Sequence, residues 1–135
     1  MFQNNEVHRK VVLLGLPPSI AESLGQILSN WGVMLYIPPE TPAAHTLNLI
    51  KAATPDLIFV WTGDNLGTSL LKIVRSSFLS IPAIAVNRRV KSSEVLDALD
   101  SGAADYCSPP FDATHIQRLL SSVDRSDDLA DVVVS

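Results

Sequence analysis

The 135 residues are 47% hydrophobic and 18% charged, which predicts one domain with a buried core and excludes a disordered chain. Ten Lys and Arg against fourteen Asp and Glu give a formal charge of −4. That balance argues against direct nucleic-acid binding, where clustered cations neutralise phosphates.

Residues 1–8 read as a polar N-terminal arm without the apolar run of a signal peptide, and no stretch reaches the ~20 apolar residues of a membrane span. The expectation is a cytoplasmic protein with no membrane partner. Val11 to Leu14 predicts a first strand, followed by the loop Gly15-Leu16-Pro17-Pro18. Ser19 and Glu22 fit a capping box opening a helix, whose stripe is Ile20, Leu24, Ile27, Leu28 and Trp31, closed by Gly32. Val33 to Ile37 predicts the second strand. Thr41-Pro42 then places proline at the start of a helix with the weaker stripe Ala43, Leu47 and Ile50.

Leu57 to Trp61 predicts the third strand, and Leu66, Leu70, Ile73 and Val74 the next helix. Ile81 to Val86 predicts the fourth strand, followed by the basic cluster Arg88, Arg89 and Lys91. Val95, Leu96 and Leu99 form the stripe of a fourth helix ended by Gly102. Tyr106-Cys107 is a brief fifth strand. Asp112 can cap a last helix with the stripe Ile116, Leu119, Leu120 and Val123. Residues 124–135, with four aspartates, read as an acidic tail or linker, which leaves 9–123 as the domain.

Continuous rather than alternating apolar runs predict strands covered on both faces, and strands joined by helical crossovers form a parallel sheet. The fold class is therefore α/β, a doubly wound five-stranded parallel sheet flanked by five helices. Ligands of such sheets bind at the carboxyl ends of the strands, which here are Gly15 to Pro17, Trp61 to Asp64, Asn87-Arg88 and Ser108 to Pro110. The first loop is neither a dinucleotide fingerprint nor a phosphate-cradling loop, and Ser19 lacks a nucleophile elbow. Cys107 is the only cysteine, so a multi-cysteine metal site is excluded. His8, His45 and His115 are assigned to the surface.

Across roughly residues 9 to 123 the chain resembles the receiver domain of two-component response regulators. The passages are Lys10 to Leu14, Pro55 to Val60, Ile81 to Val86, and above all Gly102-Ala103-Ala104-Asp105-Tyr106-Cys107-Ser108-Pro109-Pro110-Phe111. The resemblance implies strand order 2-1-3-4-5 and a cis peptide between Pro109 and Pro110. It also exposes departures. The two acidic positions that hold Mg²⁺ in receivers are Gly15 and Leu16, and the phosphoacceptor aspartate is Trp61. The hydroxyl that senses the phosphoryl group is Asn87, and the lysine is Pro109.

Phosphoryl transfer to a carboxylate needs an in-line oxygen nucleophile, a cation and donors to the equatorial oxygens. An indole supplies no such oxygen, Gly15 and Leu16 offer no hard ligand, and Pro109 lacks even an N–H. The expectation is a pseudo-receiver that is not an enzyme and uses no cofactor or metal. Trp61 and Leu16 fill the vacated pocket. The domain signals through a protein partner or a homodimer on the face between the fourth and fifth helices, in a phosphorelay or transcription-control system. Tyr106, Arg88, Arg89, Lys91 and Leu99 are the expected surface residues, with Tyr106 a fixed contact. The alternatives are a small-molecule sensor with its ligand over Trp61, Leu16 and Asn87, and a receiver phosphorylated at a relocated Asp64.

Overall fold

The structure, a computed structural model, describes residues 9–63, 68–89 and 91–122. Strands and helices alternate: β1 (Lys10–Leu14), α1 (Pro18–Ser29), β2 (Met34–Tyr36), α2 (Ala43–Ala53), β3 (Leu57–Trp61), α3 (Ser69–Ser77), β4 (Ala83–Val86), α4 (Ser92–Asp100) and β5 (Asp105–Cys107). Residues 113–122 form the last helix, α5. The five strands make one parallel sheet in the order β2-β1-β3-β4-β5. This is the architecture and order expected from the sequence. Val11 pairs with Leu57, Ile58 with Ala83, and Val86 with both Trp61 and Cys107.

Two cores follow from the period-2 alternation of strand side chains. Val11, Leu13, Leu57, Phe59, Trp61, Ile84, Val86 and Cys107 pack against Ile20, Leu24 and Leu28 of α1 and Ile116 and Leu120 of α5. Their neighbours Val12, Leu14, Ile58, Val60, Ala83, Ala85 and Tyr106 pack against Ile50, Leu71, Val74 and Ala98 from α2, α3 and α4. With both faces covered, β3 is buried along its whole length, and that is why its five residues are all apolar.

Helix ends depart from several expectations. α1 starts at Pro18, and the carbonyl of Pro17 accepts the N–H groups of Ile20 and Ala21, with no side-chain cap. The proline pre-set at the first helical position replaces the capping box read at Ser19 and Glu22. Pro42 is the N-cap of α2 rather than its first residue. Asp112 does cap α5, its Oδ1 accepting the Thr114 N–H at 2.9 Å.

At the end of α4, Gly102 has φ +108°, Ala103 N–H reaches the Ala98 carbonyl, and Gly102 N–H reaches that of Leu99. This paired closure places the glycine where L side chains are strained. The stripe expected on α4 is rotated: Ala98 is its buried residue and Val95 packs half-buried against the same core, while Leu96 is 59% and Leu99 42% exposed. On α3 the buried residues are Leu71 and Val74, and Ile73 is exposed. Val123, Leu66, the arm and the tail lie outside the described residues. No described helix is long and apolar enough to cross a membrane.

Candidate functional site

Parallel strands end together, so the topology gathers Gly15, Leu16, Trp61, Asn87 and Pro109 at one end of the sheet. Gly15 follows β1 at φ +78°, and a Cβ there would lie 3.6 Å from the Trp61 Cβ. Leu16 is half-buried against the same core as Trp61. Beyond β3 the ladder continues for one residue, the Thr62 N–H donating to the Val86 carbonyl at 2.8 Å. Beyond β4 the Asn87 N–H donates to the Cys107 carbonyl at 3.2 Å. The Pro109–Pro110 peptide is cis, as the resemblance implied.

Trp61 dominates this end. It is 2% exposed, among the largest fully enclosed side chains. Its ring stands close to Gly63, where an added Cβ would come within 2.5 Å of Cζ2 and 2.8 Å of Cε2. Among the described residues the indole Nε1–H is buried without an acceptor. Leaving that donor unpaired costs about 1–3 kcal/mol. Burying the indole returns at least as much, since aromatic side chains enclose roughly 150–250 Å² at about 25 cal/mol per Å². Hydrophobic filling therefore wins. The Gly15 and Leu16 side chains do not fit a hard cation, and among the described residues no three His, Cys, Asp or Glu side chains cluster as metal ligands. Of Trp61, Leu16 and Asn87, read as the walls of a possible ligand site, Trp61 and Asn87 are buried and Leu16 is half-buried. Asp64 lies outside the described residues.

The loop from β4 to α4 grows directly out of this packed end. Arg88 is exposed, and its guanidinium stands 5.3 Å from the Trp61 ring centroid. The Asn87 Oδ1 accepts the Arg88 N–H at 2.6 Å. One residue on, the Tyr106 hydroxyl donates to the Arg89 carbonyl. Burial pushes the Tyr106 phenol above its usual range, the Glu94 charge adds to that, and the Asn87 amide pulls the other way.

Tyr106 is thus not the surface contact expected of it. It is 8% exposed, because its place in β5 turns it towards the layer of α2, α3 and α4, in the cluster that includes Ala98. Arg88, Arg89, Lys91 and Leu99 are exposed as expected, and they are joined by Leu96, which sequence periodicity had placed inside. Asp97 and Asp100 are also exposed, so this face carries basic groups before α4 and acidic groups along it. Sequence reading also missed the pairing of His115 with Asp105, Nε2 to Oδ2 at 2.9 Å. The signal available was topological: β5 and the first turn of α5 are neighbours in the chain.

The fold defines a class of protein. A response regulator from Clostridium difficile superposes with a TM-score of 0.73 at 19% identity, covering 87% of this chain and 97% of that one, so the chain has the receiver fold. Among curated proteins, the KDP operon transcriptional regulatory protein KdpE of Escherichia coli is 37% identical over 76 residues, which are 53% of this chain and 33% of KdpE. The virulence transcriptional regulatory protein PhoP of Salmonella choleraesuis is 32% identical over 84 residues, 60% of this chain and 38% of PhoP. The matches thus span between 33% and 38% of these relatives' length. No family model matches it. Its homologues and its structural neighbours are response regulators and their receiver domains.

Proposed function

We propose that this chain is a phosphorylation-independent receiver-like domain that signals in the cytoplasm, within a two-component-type system, by binding a protein partner or a second copy of itself. The observation that carries the reading is Trp61, an indole enclosed to 2% exposure at the end of β3, where receivers hold their acceptor aspartate. Gly15, Leu16 and Pro109 around it add no oxygen ligand and no ammonium. The domain catalyses no reaction of its own on this reading.

The contact surface is the face of α4 and the loop before it. Leu96 and Leu99 supply apolar area and Arg88, Arg89 and Lys91 positive charge, while Asp97 and Asp100 supply negative charge. Two copies meeting antiparallel would set the basic end of each against the acidic stretch of the other, the isologous arrangement that a twofold axis requires.

The test is incubation with acetyl phosphate and Mg²⁺, read by intact mass, beside sedimentation velocity of the wild type and of Leu96→Glu and Leu99→Glu. The expected result is no mass adduct, together with weaker association in both variants, whose exposed sites leave folding intact. A labile phosphoryl adduct lost in Asp64→Asn would replace this reading with that of an active receiver. Association unchanged in both variants would remove α4 from the interface.

A further inference from the structure

A second site lies at the opposite end of the sheet from Trp61. There the starts of β3, β4 and β5 stand apart from α5, and the gap is a cavity of about 320 Å³. Its floor is apolar: Leu57 and Ile84, each 1% exposed, and half-buried Leu119. Its rim is polar: Asp105, His115 and Arg118. A volume near 300 Å³ sits at the small end of ligand pockets, and an apolar floor with a few converging polar groups is their usual composition.

The polar groups are unequally engaged. The Asp105 Oδ1 accepts the Tyr106 N–H at 2.7 Å and its Oδ2 is joined to His115 Nε2 at 2.9 Å. Both carboxylate oxygens are therefore occupied by donors. Among the described residues no carboxylate pairs with Arg118, so its guanidinium is the rim's available donor, planar and matched to a bidentate anion. We propose that this cavity binds a small amphipathic anion, a carboxylate or phosphate monoester whose head meets Arg118 and whose short apolar body lies on Leu57, Ile84 and Leu119. The site is independent of the filled end of β3 and stands whether or not the chain accepts a phosphoryl group.

Octanoate is the probe, followed by amide ¹H–¹⁵N shifts of the full chain. Octanol removes the charge, octylammonium reverses it, and inorganic phosphate removes the apolar body. Octyl phosphate compares the two anionic heads. The expected result is saturable shifts at Asp105, His115, Arg118 and Leu119. Affinity should fall about tenfold, one strong charge-assisted contact, for octanol, for inorganic phosphate, and for octanoate with Arg118→Gln. Arg118 is exposed, so an unchanged spectrum of the free variant verifies its fold. The proposal is overturned if the shifts fall elsewhere, if octanol or octylammonium binds as tightly as octanoate, or if Arg118→Gln binds as well as the wild type.

Discussion

The Arg88 guanidinium covers the Trp61 indole at 5.3 Å from the ring centroid. The ring that closes one end of the sheet is therefore also the support for the first residues leading to α4. A cation over an aromatic face contributes about 0.5–1 kcal/mol when exposed, and Arg88 is exposed. Arg88→Gln is expected to lower stability by that amount in urea unfolding and to change the emission of Trp61. A variant carrying Trp31→Phe isolates that signal.

Placing an aspartate at the end of β3 is expected to damage the fold without creating a phosphoacceptor. Trp61→Asp leaves a cavity worth about 3–5 kcal/mol and places a carboxylate among apolar neighbours. Gly15 and Leu16 still give no ligand for a cation. Urea denaturation should show the loss, and the intact mass should stay unchanged after treatment with acetyl phosphate and Mg²⁺.

Gly63 has a steric role. A methyl group there would sit 2.5 Å from Trp61 Cζ2 and 2.9 Å from the Asn87 Oδ1, so Gly63→Ala must displace the ring. Overpacking of this kind costs about 1–3 kcal/mol. Thermal unfolding should register the loss, and Trp61 should become more accessible to acrylamide quenching.

Tyr106 holds the β4–α4 loop through its hydroxyl, which donates to the Arg89 carbonyl. Tyr106→Phe keeps the packing and removes the bond, at a cost of about 0.5–1.5 kcal/mol. Amide exchange in residues 88–91 should accelerate while the sheet stays protected. Tyr106→Ala is expected to cost several times more, because this ring is a core residue.

Burial first, and the Asp105 charge second, push the Cys107 thiol from 9.0 up to about 12. The folded state therefore keeps a proton that the unfolded state releases. The stability this contributes is full below about pH 9 and is lost as the pH rises towards 12. The slope is at most about 1.4 kcal/mol per pH unit. Denaturation midpoints should fall across that window, and Cys107→Ala should reduce the slope. Tyr106, also pushed up by burial, acts in the same sense and leaves part of it.

The parts of the site that the sequence made legible are those set by order along the chain. Gly15, Leu16, Trp61, Asn87 and Pro109 could be assigned to one end of the sheet because parallel strands joined by crossovers must all end there. The orientation of Tyr106 was not legible, since a residue in a short strand can face either layer and only the register of β5 in the folded sheet selects one. Nor was the cavity beside Arg118, which depends on how far α5 stands from the starts of three strands.

By itself the sequence determined the alternating strands and helices and the two-sided burial of β3 up to Trp61, because local periodicity and composition carry that information. It did not determine which stripe of α4 is buried. Val95, Leu96 and Leu99 satisfy helical spacing, but the core takes Ala98 together with half-buried Val95, in the same cluster as Tyr106. The tertiary structure turned Leu96 and Leu99 outward, for the physical reason that a close-packed interior selects by volume, and periodicity carries no information about volume.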